Sequence, residues 1–340
     1  MEYKRISVDT SKTVFTIHGI DSAERAITRR EVKRDKFLAF FEKLPPTEVA
    51  MEACGASYHW ARQLTAMGHR PKLIAPQYVK PYVKRGKNDR NDAEAICEAA
   101  GRPNMRFVPV KTEAQQADAM ALSVRDLLVR QRTQLVNALR GHAAEFGIVA
   151  PRGLDRIEGL RAKIARREGL PAPAQRMLEL LGTQIDGLDQ QLAELDKQLL
   201  AQHKANPISK FLAGIPGVGM IAALTLASKI DATQFASGRH LAAWIGLTPK
   251  EHSTGGRQRL GGISREGNER LRQLLVVGAM AVIRHAKPGS KSASPWLLNL
   301  LERRPKKLAA VALANKMARI VWAMLTSGEA YRAPTCPKAA

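Results

Sequence analysis

Apolar positions at the head of the chain fall in short runs. Arg5–Asp9 and residues 13–19 read as two β-strands around a tight turn, with residues 24–28 as a third. From Glu31 the period lengthens: Phe37, Phe40, Phe41 and Leu44 recur at helical spacing until Pro45-Pro46 stops the run. A strand over 48–53, a helix over 56–67, a strand over 72–75, a helix over 88–100 and a late strand over 106–110 follow. Three successive strands and then alternation predict a mixed-sheet α/β layer fold.

Farther on, Leu178, Leu181, Ile185, Leu188, Leu192, Leu195 and Leu199 step by three and four residues in turn, a heptad pattern that predicts a coiled coil. Upstream, Thr112-Glu-Ala-Gln115 has the form of a capping box. The helix it opens runs to about Gly147, with Val124, Leu128 and Leu135 on one face and Gln131 interrupting it. The two helices could pair within one chain or across a dimer. Pro151 and the stretch 169–173 mark the loop and turn between them. Beyond residue 206, Phe211-Leu-Ala-Gly-Ile-Pro-Gly-Val-Gly219 followed by Ala222, Ala223, Leu226 and Ile230 reads as a helix, a Pro-Gly-x-Gly turn and a second helix. The expected organisation is an α/β domain over 1–110, a helical coiled-coil region over 111–205, a mainly helical domain over 206–330 and a flexible tail over 331–340.

Charge changes the picture. The 340 residues carry 54 Lys and Arg against 31 Asp and Glu, a formal net charge of +23, which calls for an anionic partner, nucleic acid foremost. The excess is concentrated after residue 205, at 20 basic against 6 acidic groups, while 111–205 is nearly balanced at 14 against 12. That contrast suits a polyanion-binding end and a structural spacer. Three cysteines without a CxxC pair exclude a disulfide scaffold and a zinc module. The N-terminus has no apolar leader and no apolar stretch approaches membrane-spanning length, so the expectation is a cytoplasmic protein without a membrane partner.

Four carboxylates are candidates for chemistry. Asp9 ends the strand Ile6-Ser-Val-Asp9, Glu52 ends Val49-Ala-Met-Glu52, and Asp89 and Asp92 are three apart on a helix and share a face. Surrounded by Lys84, Arg85, Lys87 and Arg90, such a cluster would be costly to assemble unless cations bound it. Two Mg²⁺ ions, with Mn²⁺ able to substitute, would clamp the attacking and leaving oxygens of a phosphodiester. The competing account makes Asp89 a helix N-cap, Asp92 a first-turn dipole partner, and Asp9 and Glu52 ordinary turn residues. In the basic end, Gly217 and Gly219 would bring backbone amides close to a phosphate in a helix-hairpin-helix-like motif, unless the turn simply packs in a core. Ser253 lies in Glu251-His-Ser-Thr-Gly-Gly-Arg-Gln-Arg259, a glycine-containing flexible loop where Arg257 and Arg259 could neutralise a phosphate. On the residues alone Ser253 is a turn residue or phosphate hydrogen-bonder as readily as a nucleophile, and Ser264 could cap a helix beginning at Arg265.

Asp9-Thr-Ser-Lys12, Met51-Glu-Ala-Cys-Gly55 and Lys87-Asn-Asp-Arg-Asn-Asp-Ala93 resemble the three blocks of the DEDD-type insertion-sequence transposases, the family that includes the Piv-type DNA invertases. Cys54 stands where Thr is more usual. Glu251-His-Ser-x-Gly-Gly and Ile263-Ser-Arg-Glu-Gly-Asn268 resemble the C-terminal domain of the same family, although Thr254 separates Ser253 from Gly255 where many relatives have Ser-Gly directly. The resemblance implies a RuvC-like, ribonuclease-H-like N-terminal domain with Asp9, Glu52, Asp89 and Asp92 as metal-binding tetrad. It also implies a transient covalent link between DNA and Ser253, with Thr254 a lesser candidate and Ser264 a third. Implied partners are element ends and target DNA, held by residues such as Gly217, Gly219, Arg257, Arg259 and Arg265, and a structured guide RNA encoded beside the gene. Recombination joins at least two active sites, so the heptad is read as a device for a dimer or tetramer. The rival expectation is a hydrolytic, Mg²⁺-dependent junction-resolving or structure-specific nuclease, and a third is a non-catalytic architectural binder.

Overall fold

The computed structural model describes residues 2–84, 86, 88–287 and 294–333. Arg85, Lys87, Cys336 and the end of the expected flexible tail, 334–340, lie outside them. The chain divides into two compact units, Met1–Gln116 and Ala117–Ala340.

The first unit is a six-stranded mixed sheet. In chain order it contains β1 (Arg5–Asp9), β2 (Val14–Ile20), β3 (Ala26–Lys33), α1 (Phe37–Phe41), β4 (Glu48–Glu52), α2 (Ser57–Ala66), β5 (Arg70–Ile74), α3 (Pro76–Val79), α4 (Asp89–Ala100) and β6 (Phe107–Val108). The strand order is β3-β2-β1-β4-β5-β6, with β1, β4 and β5 parallel and the other pairings antiparallel. This mixed α/β layer is consistent with the RuvC-like expectation. Side chains alternate across the sheet. Ile6, Val8, Val49 and Met51 pack with Phe15, Phe37, Phe41 and Trp60 on one face. Ala50 and Ile74 pack with Ile96 and Ala99 of α4 on the other.

Two readings of local pattern are corrected. The third strand runs from Ala26 to Lys33 instead of over 24–28, because β3 stays laddered to β2 as far as Val14↔Lys33 and Val32 is buried. The helix that was to begin at Glu31 is reduced to Phe37–Phe41.

The second unit contains α5 (Glu113–Glu145, whose first turn lies in the first unit), α6 (Ile157–Ala165), α7 (Ala172–Ala205), α8 (Pro207–Leu212), α9 (Met220–Lys229) and α10 (Gly238–Trp244). It continues with the hairpin β7 (Pro249–Glu251) and β8 (Leu260–Ile263), then α11 (Glu269–Arg284), α12 (Pro295–Arg303) and α13 (Lys306–Ser327). The capping box at α5 is formed: Gln115 N donates to Thr112 Oγ1 and Thr112 N to Gln115 Oε1. Helices α5 and α7 pair antiparallel within the chain. Leu122 clusters with Leu199, while Val136, Leu139 and Ala143 cluster with Leu178 and Ile185. Arg125 pairs with Asp196 at 2.5 Å and Arg132 with Asp189 at 2.6 Å, so seven residues onward along α5 is seven residues back along α7. The buried seam of α5 is Leu122, Val136, Leu139 and Ala143; of the three residues expected there, Leu135 packs against it, Leu128 is half-buried and Val124 is exposed. Seven-residue steps from Leu122 match the α7 seam and leave Val124 outside it.

Helix α13 is long and apolar enough to cross a membrane. Ala309, Ala310, Ala314, Met317, Ala318 and Val321 instead form the core of this unit with residues of α10 and α11.

Candidate active site

The parallel pairing of β1 and β4 sets Val8 opposite Met51, so Asp9 and Glu52 terminate neighbouring strands at the same edge of the sheet. Alternation gives both the side of the sheet that α4 covers, the side on which Ser7 Oγ donates to the Ala93 carbonyl of that helix. The first turn of α4 delivers Asp89 and Asp92 to this edge. Carboxylate oxygens of Asp9, Asp89 and Asp92 lie within 4.8 Å of one another. Glu52 stands outside that trio, yet its charge acts on Asp9 and that of Asp92 acts on it.

The electrostatics are those of an uncompensated acidic cluster. Burial, followed by repulsion from Asp92, Asp89 and Glu52, pushes the Asp9 carboxyl from 3.8 up to about 6. Burial and Asp92 also raise Glu52. The two described basic neighbours pair elsewhere: Lys84 with Glu94 at 2.6 Å and Arg90 with Glu31 at 4.0 Å. Among the described residues no Lys or Arg forms an ion pair with Asp9, Glu52, Asp89 or Asp92. Asn88 is the N-cap of α4, its side chain accepting from Asn91 N at 2.8 Å, which removes the account of Asp89 as the cap. Hard oxygen donors repelling one another around a common point fit a divalent cation.

The second constellation lies on the β7–β8 hairpin. The glycine-containing loop closes as a tight turn: Gly255 and Gly256 have φ of 55° and 75°, and Thr254 and Arg257 exchange backbone hydrogen bonds across them. Ser253 Oγ donates to Glu251 Oε1 at 2.8 Å and accepts from the backbone N–H of Arg259 at 3.2 Å. Glu251 is the partner that the sequence reading missed; a strand returns residues two apart to the same face, which was the available signal. Arg257 and Arg259 are exposed. Ser264 caps no helix: its Oγ accepts from Glu266 N, and α11 begins at Glu269 under the cap of Asn268. Arg265 stands at φ 58° and is exposed.

The Pro216-Gly-Val-Gly219 turn joins α8 to α9, and its two glycines differ. Gly217 has φ +87°, and a Cβ there would lie 2.7 Å from the Gly278 carbonyl oxygen of α11, so its close approach is to protein. Gly219, at the N-terminus of α9, is exposed and a Cβ there would meet nothing within 4 Å.

Comparison with known proteins agrees with these blocks. The profile described as "Transposase IS116/IS110/IS902 family" matches residues 209–294, and a second transposase profile, of the DEDD type from IS110 elements, matches residues 6–147. A putative transposase of Sinorhizobium fredii is 55% identical over 330 residues, covering 96% of this chain and 85% of its own length. The transposase for insertion sequence element IS1111A of Coxiella burnetii is 44% identical, covering 97% of this chain and 92% of its own length. The pilin gene-inverting protein of Moraxella lacunata is 24% identical over 293 residues, 83% of this chain and 80% of its own length. The class is thus that of a DEDD-type transposase, with whose N-terminal domain the mixed α/β sheet is consistent. The chain belongs to the IS116/IS110/IS902 family and is a DNA transposase or recombinase. The DEDD domain implies dependence on a divalent metal, which the carboxylate cluster fits.

Proposed function

We propose that this transposase moves an insertion sequence by metal-dependent strand cleavage and exchange through a transient serine–DNA link. The observation that carries the reading is the convergence of Asp9, Asp89 and Asp92, with Glu52 beside them, on one sheet edge, where no Lys or Arg among the described residues forms an ion pair with them. Mg²⁺, or Mn²⁺ in its place, would be held by these four residues and would polarise a phosphodiester and lower the pKa of an attacking hydroxyl.

Ser253 is the covalent acceptor in this reading. Its hydroxyl oxygen bonds to phosphorus as the phosphorus–oxygen bond to the leaving deoxyribose breaks. The serine proton passes to Glu251, which already accepts it as a hydrogen bond, and the leaving oxygen takes a proton from water. The new phosphodiester retains the energy of the old one, so rejoining to another strand needs no ATP. Arg257, Arg259 and Arg265, with the amide end of α9 at Gly219, contact phosphates of the element ends and target. Gly217 contributes by seating that turn on α11. The basic segment beyond residue 205 also suits a structured guide RNA. Assembly into a dimer or tetramer is supported by exposed Met120, Val124 and Leu127 on α5 and Met177 and Leu180 on α7, apolar side chains that the intrachain seam leaves uncovered. The working division of the chain is catalytic over 1–110, coiled coil over 111–205 and DNA-binding over 206–330, acting in the cytoplasm and on the nucleoid.

A suicide DNA substrate that traps the adduct tests this reading. Ser253→Ala should bind DNA yet form no adduct, Ser264→Ala should be far milder, and Glu251→Gln should slow adduct formation about 10²-fold or more. If Ser253→Ala still forms the adduct, the acceptor is Thr254 or Ser264. If the wild type forms none, the hydrolytic nuclease is the better reading.

A further inference from the structure

Helix α13 has two faces. One fills the core, and the other lines a groove of about 1060 Å³ whose remaining walls come from the start of α10, from Trp296 of α12 and from the β7–β8 hairpin. Val311 and Ile320 give this groove an apolar floor, and Arg239, Lys316 and Arg319 give it charge. No carboxylate lines it, and among the described residues none of these three cations is in an ion pair. Lys316 Nζ stands 4.3 Å from the centre of the Trp296 ring, and burial, with a smaller contribution from Arg319, lowers the Lys316 pKa. Like charges gathered around an apolar cleft raise the free energy of the empty protein, and an anion with apolar surface relieves that cost.

The hairpin selects among such anions. Pro249 and Gly261 to Ile263 form one wall of the groove, and the same two strands carry Ser253 toward the hairpin turn. Gly261 and Gly262 present bare backbone there: a Cβ on Gly262 would meet nothing within 4 Å, and one on Gly261 would meet its first neighbour at 3.8 Å. A chain lying in the groove can therefore pass close to the strand that leads to the serine. Unstacked nucleotides have the matching chemistry, with base faces for Trp296 and the apolar floor and evenly spaced phosphates for the arginines. A duplex keeps its bases stacked inside and has no use for the floor.

We propose that this groove binds single-stranded DNA and leads the strand to Ser253; the clause about Ser253 rests on the function proposed above, whereas binding itself does not. The test is fluorescence anisotropy of a labelled oligo(dT), an oligo(U) and a duplex of equal length, with the full chain in EDTA so that no cleavage intervenes. Arg239→Glu with Arg319→Glu should weaken oligo(dT) binding about tenfold or more and flatten the dependence of log Kd on log salt by about 1.4, the value for two phosphate contacts on a single strand. Trp296→Ala should weaken it about fivefold or more. Arg239→Lys with Arg319→Lys should retain most of the affinity, which separates lost charge from lost folding. Unchanged oligo(dT) affinity and salt slope in the charge-reversed variant would overturn the groove, as would a loss confined to oligo(U) or to the duplex. Failure of the wild type to bind any of the three would instead count against the DNA-acting reading itself.

Discussion

Asp9→Asn tests the acidic cluster through stability as well as activity. The folded protein holds the Asp9 carboxyl at about 6 against 3.8 for the free group. A raised carboxyl pKa means that the folded state prefers the protonated form. Without metal, the penalty for ionising is therefore absent below about pH 4, grows between about pH 4 and 6, and is complete above that. The full displacement corresponds to about 3 kcal/mol. Solvent screening at a half-buried group reduces this to about 1–2 kcal/mol. Asparagine keeps the shape and removes the charge, so the metal-free variant should be more stable than the wild type at neutral pH by about 1–2 kcal/mol, and no more stable below about pH 4. A saturating divalent cation should invert the order. At a hundredfold excess over its Kd it adds about 2.7 kcal/mol to the wild type, and it should add little to a variant that has lost a ligand. Chemical denaturation in EDTA and in Mg²⁺, across pH, measures all of this. If Asp9→Asn is no more stable than the wild type in EDTA, or if Mg²⁺ stabilises both proteins equally, the cluster is not the uncompensated metal site described here.

Other expectations concern the second unit. Gly217→Ala should destabilise by about 2–4 kcal/mol in denaturant unfolding, since its Cβ would meet the Gly278 carbonyl oxygen at 2.7 Å and Val282 Cγ2 at 2.9 Å in a positive-φ conformation. Gly219→Ala should cost far less, and equal losses would show that the turn is not seated on α11. Ile185→Ala should cost about 2–4 kcal/mol because it opens a cavity in the α5–α7 seam, whereas Leu180→Ala, on the exposed side, should stay within about 0.5 kcal/mol. A large loss at Leu180 would place a partner on that face.

The strands ending in Asp9 and Glu52, the helix carrying Asp89 and Asp92, the capping box at Thr112 and the heptad of α7 were all legible from the sequence. Each rests on local periodicity or a short-range hydrogen bond, which neighbouring residues encode by themselves. Third-strand length was not legible: residues 29–33 are all charged except Val32, and the ladder to β2 keeps them extended. The α5 face was legible only in part, at Leu135 and not at Val124, because a helix with apolar residues on several sides takes its buried stripe from its partner.

The same division runs through the sites. Residue type and spacing determined which carboxylates were candidates, since they define what a group can do chemically, and the family resemblance put Ser253 ahead of Thr254 and Ser264. Tertiary structure decided that Asp9 meets Asp89 and Asp92, which are remote from it in sequence, within 4.8 Å, that Asn88 and not Asp89 caps α4, and that Ser253 donates its hydroxyl hydrogen bond to Glu251. It also turned Gly217 inward and left Gly219 in the open, although the two stand in one motif. Charge repulsion, burial and close approach depend on distances through space, and those distances exist only once β1, β4 and α4 have packed into one edge and α8, α9 and α11 into one core.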